Sequence, residues 1–211
     1  MVEALNGEVI RISATSDTHL NALDMDSAYG NDRNPLIEKS EFILSLFEQL
    51  VGAGNLSAKE KSILDRCTAD VYRDYMRGGY KGQVPTLKDL YRQLMLQPEE
   101  EARGLALSSE LFINGSLNTF AQETNVNTKS RIIDYDIREL GEQLMPLGML
   151  VTLDSIFQPC DPELEEGKNR HGSLRMSFIC CSATNTVRTF STACTSVSVS
   201  IPDLSPGLPR T

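Results

Sequence analysis

The chain has 211 residues, enough for one sizeable core or two small ones, and a formal net charge of −9, which argues against a dedicated nucleic-acid surface. No stretch approaches the run of about 18 apolar residues that crosses a bilayer. The opening MVEALNGEV lacks the basic and apolar regions of a signal peptide, so the composition reads as that of a soluble, intracellular protein.

Glu8 to Ser13 (EVIRIS) reads as a short strand with Val9, Ile10 and Ile12 apolar. A polar loop rich in Asp, Asn and Ser follows through Asp32. Asn34 as cap and Pro35 in the first turn then open a helix. Its apolar residues Leu36, Ile37, Ile43, Leu44, Phe47, Leu50 and Val51 recur at helical spacing, and Gly52 to Gly54 end it. Ser57 and Glu60 form a capping box for a second helix with Ile63, Leu64, Cys67, Val71 and Tyr75 on one face. GGYKGQVP is a linker. Thr86 with Asp89 starts a third helix, LKDLYRQLML, and Pro98 with three glutamates starts a fourth.

Gly115 breaks the helical pattern. Arg131 to Ile137 (RIIDYDI) is the second strand, and Glu139 to Gln158 is helical with an interruption at Pro146. A strand, a mostly helical insertion over about 35–113, a strand and a helix suggest an α/β domain of which only part is present, because two strands do not make a stable sheet alone.

Few residues suggest chemistry. The phosphate-cradling pattern GxxxxGK[ST] is absent; Gly78, Gly79, Lys81 and Gly82 lack its spacing and its hydroxyl, and Gly167-Lys168 is followed by Asn169. Asp134 and Asp136 share a strand face, as carboxylates for acid/base or Mg²⁺ work would, or as groups that merely solvate a strand end. The two histidines, His19 and His171, have no ligand-spaced companions, and no Ser-His-Asp or Cys-His arrangement has local support. Cys67, Cys160, Cys180, Cys181 and Cys194 form neither a CxxC pair nor a disulfide ladder. On these grounds no catalytic, cofactor-binding or metal-binding residue is assigned.

Several phrases taken in series resemble the ATPases of type IV secretion and conjugative transfer, a VirB-type group often called TraC- or TraE-like. They are NGEVIRIS, NALDMD, SEFILSLFEQLVG, LSAKEKSILDRCTADVYRDY, VPTLKDLY, GSLNTFAQETNVN and RIIDYDIRELGEQLMPLGMLVTLDSIFQ, which together cover residues 1–158 in order. Ala22 departs from the Asn-Pro-x-Asp loop usual in the group, which weakens any role for Asp24. The resemblance implies a fragment of a RecA-like P-loop ATPase domain, cytoplasmic and peripheral at the inner face of the membrane. Its implied partners are secretion-system membrane proteins and further copies in a hexamer-like ring, with DNA met only indirectly. In the family ATP and Mg²⁺ are held by a phosphate loop upstream of the segment resembling EVIRIS and by a strand ending in Asp-Glu soon after the one resembling LDSIFQ. Neither stands at the corresponding place in this sequence.

The ending differs from the body. Residues 1–170 hold 17 Lys and Arg against 28 Asp and Glu, whereas residues 171–211 hold three Arg against one Asp, and 14 of those 41 residues are Ser or Thr. Two readings stand. Residues 159–211 are a low-complexity tail expected to be disordered, or they are family sequence translated out of register after single-base shifts near Gln158 and Gly167. His171 to Met176 can be encoded CAT GGA TCT TTA CGG ATG; read two bases on and followed by AG, this spells Trp-Ile-Phe-Thr-Asp-Glu, the acidic strand end that the family requires. On that reading Cys160, Cys180, Cys181 and Cys194 are accidents of register. A rival reading of the body is a non-enzymatic helical module, residues 35–113, that docks onto a secretion partner.

Overall fold

A computed structural model describes residues 7–27, 29, 34–52, 54–128 and 133–157. Expectations for the tail, and for Arg131, Ile132 and Gln158, fall outside them.

Strand β1 (Glu8–Arg11) pairs in parallel with β2 (Ile133–Asp136), Glu8 lying opposite Ile133 and Arg11 opposite Asp136. One more main-chain bond, from Ile12 N–H to the Asp136 carbonyl at 2.9 Å, prolongs the ladder. Parallel neighbours need a long crossover, and here the crossover carries four helices: α1 (Pro35–Val51), α2 (Ala58–Arg77), α3 (Leu87–Met95) and α4 (Glu100–Ile113). Helix α5 (Gly141–Phe157) follows β2. The expected α/β organisation with a helical insertion is therefore present, with a two-stranded sheet among the described residues.

The helix starts follow from the capping chemistry. Asn34 Oδ1 accepts from the Leu36 N–H at 3.1 Å, and Ser57 and Glu60 exchange side-chain and main-chain bonds across the first turn of α2. Gly52 closes α1 with φ 107°, a conformation that costs a residue with a Cβ dearly. Helices α1 to α4 pack on one another through Ile43, Leu46 and Phe47 of α1, Ile63, Leu64, Cys67 and Tyr72 of α2, Leu87, Leu90 and Leu94 of α3, and Ala102, Leu105 and Ala106 of α4, all buried. Tyr72 and Thr68, rather than Val71 and Tyr75, occupy the most buried line of α2.

Two expectations need correction. The first strand ends at Arg11 instead of Ser13, because Ser13 turns to bond Ser16, whose hydroxyl donates to the Ser13 carbonyl at 3.1 Å. Helix α5 begins at Gly141 and runs through Pro146 without interruption. A proline at this position deprives only the Glu142 carbonyl of its partner, and Glu142 is exposed, so water can take that place.

Candidate functional site

The most unusual chemistry among the described residues is a lysine on the inward side of a helix. Pro35 and the Asn34 cap fix the phase of α1, and that phase carries Lys39 to the core face beside Ser40 and Ile43. Lys39 is fully buried, and its Nζ lies 2.7 Å from Asp154 Oδ2 on α5. Asp154 also accepts a hydrogen bond from the Tyr29 hydroxyl. The ammonium sits 4.8 Å from the Tyr29 ring centre and 4.5 Å from that of Phe42, so two aromatic faces and one carboxylate replace its water. Burial pushes the Lys39 pKa down, and Asp154 holds it back. Burial also pushes the Tyr29 hydroxyl up, with the Asp154 charge adding to the effect.

A second polar cluster fixes the loop after β1. The Asn21 side chain donates to Asp24 Oδ1 at 3.1 Å and to the Pro85 carbonyl at 2.9 Å, and its own carbonyl accepts from the Leu23 N–H at 3.0 Å. Thr124 accepts from the Asn21 N–H at 2.8 Å and donates to Asp24. Burial raises the Asp24 pKa, opposed by the Thr124 bond and the Lys39 charge. Tyr72 and Tyr75 reach across from α2 to the Leu23 and Met25 carbonyls, at 2.6 and 2.9 Å. Ala22 is buried, and its N–H donates to the Phe120 carbonyl at 3.2 Å, a bond that a proline at this place could not make. Asn21 thus ties the loop to Pro85 in the insertion, and Asp24 ties it to Thr124, with Ala22 in place.

The residues weighed for chemistry are not brought together. Asp136 is clamped by Arg138, whose Nε and Nη2 lie 2.7 and 2.5 Å from its two oxygens and hold its pKa down. That carboxylate is engaged with a guanidinium instead of standing open to Mg²⁺. His19 lies in the loop after β1, its main-chain N–H bonded to Asn125 Oδ1 at 2.8 Å and its Nδ1 buried without a hydrogen-bond partner. His171 is outside the described residues. No group of three His, Cys, Asp or Glu poised for a metal occurs among the described residues. Nor does the glycine-rich turn fit a triphosphate. It follows the C-terminus of α2, where carbonyls face outward and the dipole repels anions, and Gly78 N–H is already bonded to the Asp74 carbonyl. Neither Asp136 nor this turn therefore offers an open place for Mg²⁺ or a triphosphate.

Sequence reasoning missed the Lys39–Asp154 pair. The signal was present: Lys39 stands three residues after Leu36 and four before Ile43, on the apolar line of its own helix. A lysine there demands a buried counterion, although its partner lies 115 positions away.

The sequence matches no known family profile and no curated protein. Among solved structures the chain is similar to VirB4 of Thermoanaerobacter pseudethanolicus, with 21% identity and a TM-score of 0.60. The likeness covers 75% of this chain and 44% of that one, so the chain spans less than half of the larger protein. No described helix is long and apolar enough to cross a membrane. At this identity the likeness carries the fold alone: the chain is built like part of VirB4, the type of protein to which its sequence phrases point.

Proposed function

We propose that the chain is part of a motor protein of type IV secretion and conjugative DNA transfer, and that it does not itself hydrolyse ATP. The fold likeness to VirB4 carries the reading, supported by a series of phrases that runs in order through residues 1–158. The missing hydrolysis has a physical reason. With no GxxxxGK[ST] in the sequence, nothing supplies the row of backbone N–H groups and the lysine that offset a triphosphate's charge. ATP and Mg²⁺, a hexamer-like ring, contact with secretion-system membrane proteins and indirect contact with DNA belong to the parent protein. The chain's own place is cytoplasmic, peripheral at the inner face of the membrane.

The coding DNA across codons 155–175 tests the parentage. The expected result is a neighbouring register that spells a hydrophobic strand ending in Asp-Glu. Codons unable to spell it there would remove the slipped-register explanation of the tail.

The mutual packing of α1 to α4 favours a second reading, a helical module that binds secretion components without nucleotide. Limited proteolysis separates the two. A resistant core of residues 35–113 that retains binding supports the module, and wholesale digestion supports a broken fragment.

A further inference from the structure

Helix α4 buries one face and leaves the other bare. Ala102, Leu105, Ala106, Ser109 and Ile113 turn into the core. On the opposite side Leu107 and Leu111 stay 54% and 45% exposed, four residues apart and so one above the other. Gly104, three residues before Leu107, prolongs that stripe and is exposed too. A glycine inside a helix costs about 1 kcal/mol against alanine. No described atom elsewhere in the fold lies within 4 Å of the place of its Cβ, so packing inside the chain does not require it. Along one flank of the stripe stand Arg103 and Glu110, seven residues apart, nearly in line and both exposed. Glu110 also accepts a bond from the Tyr91 hydroxyl at 3.4 Å, and a carboxylate has acceptor sites for a second donor.

We infer that this face pairs antiparallel with the same face of α4 in a second copy of the chain. The placement of charge chooses the occupant. Two antiparallel helices related by a two-fold axis meet like flank with like flank. A flank with a cation at one end and an anion seven residues on is complementary to its own reversed copy. With the axis at Leu107, Arg103 of each copy comes level with Glu110 of the other to within one residue's rise, about 1.5 Å. In the same register the two Leu107 side chains meet. Leu111 of each copy then closes on Gly104 of the other, where the missing side chain gives it room. In a parallel pair Arg103 and Glu110 would meet the opposite flank, where Glu101 is already held by Lys59 at 3.1 Å and Ser108 carries no charge. The contact is isologous and closes on two chains, so it differs from a ring contact and is independent of the motor reading. One 14-residue helix face is small against the roughly 1,200–2,000 Å² of a stable complex, so the dimer is weak, with a Kd of about 10–100 µM.

Sedimentation equilibrium on the full chain, from about 1 to 500 µM, should show a monomer–dimer equilibrium. Leu107→Glu should weaken it at least about tenfold, and Met149→Glu, on the exposed side of α5, should leave it unchanged. Arg103→Glu and Glu110→Arg, each alone, set like charges opposite one another and should also weaken it about tenfold. Mixed in equal amounts, these two variants should dimerise again, because each carries the charges that the other's flank lacks. All four positions are exposed, and an unchanged urea midpoint checks that the variants fold. A chain that stays monomeric throughout that range overturns the proposal and gives the face to a different protein or to another segment. A dimer indifferent to Leu107→Glu overturns it by placing the contact elsewhere. Weakening by both charge variants without recovery on mixing overturns the antiparallel pairing.

Discussion

Lys39 holds its charge out of water, and the carboxylate of its ion pair is that of Asp154. Asp154→Ala should destabilise the fold by about 3–5 kcal/mol, measured by urea unfolding, since it strands a buried ammonium. Replacing both partners with apolar residues (Lys39→Met with Asp154→Leu) should restore most of that loss; if the double variant is as unstable as the single one, the ion pair is not the cause. Tyr72 gives a prediction in pH. Its hydroxyl is fully buried and its pKa lies well above the unfolded value of 10.0, so the folded state keeps a proton that the unfolded chain releases. Stability should therefore fall as pH rises past 10, by up to about 1.4 kcal/mol per pH unit for this group. Lys39 acts in the opposite sense, because its folded pKa is depressed and its contribution rises with pH until the unfolded lysine has titrated near 10.5. Above that value the tyrosines dominate, and Tyr72→Phe should flatten the alkaline decline while costing about 1 kcal/mol at neutral pH for the lost bond to Leu23. Cys67 is buried and its thiol is pushed up to about 11, so peptide mapping after thiol labelling should find it unmodified until denaturant is added.

The helices show which features are written locally and which are not. Caps at Asn34 and Ser57 mark where α1 and α2 begin, because capping chemistry acts within one turn. Ser57→Ala should cost about 1 kcal/mol in a urea titration by removing that cap. Helix α5 was less legible. Pro146 suggests a break by its local rule, yet the helix continues because the orphaned carbonyl lies in an exposed first turn. The absence of a side chain at Gly148 has a distant cause: an added Cβ would lie 2.2 Å from Leu140 Cδ1 and 3.3 Å from Phe120 Cζ. Gly148→Val should overpack that contact and cost about 1–3 kcal/mol, seen as a lower urea midpoint with an unchanged slope. The partners of Tyr72 and Tyr75 are equally remote, the Leu23 and Met25 carbonyls lying in a loop 49 and 50 positions earlier.

At the scale of the molecule, the parallel pairing of β1 and β2 was only half legible. The two apolar runs identify the strands, but neither says that they are neighbours; that follows from the helices between them closing into one packed unit. The loop of Asn21 and Asp24 fastens this unit to the strands through Pro85 and Thr124, contacts that no local pattern announces. The phosphate-handling parts of a motor are not spelled in the sequence, and the glycine-rich turn at Gly78 stands at the wrong end of its helix to replace them. Purified chain incubated with Mg²⁺ and ATP tests this most directly, by phosphate release at several protein concentrations. Release no faster than from a buffer blank is expected; release that rises in proportion to the chain and vanishes when Mg²⁺ is chelated would overturn the proposal that the chain does not hydrolyse ATP.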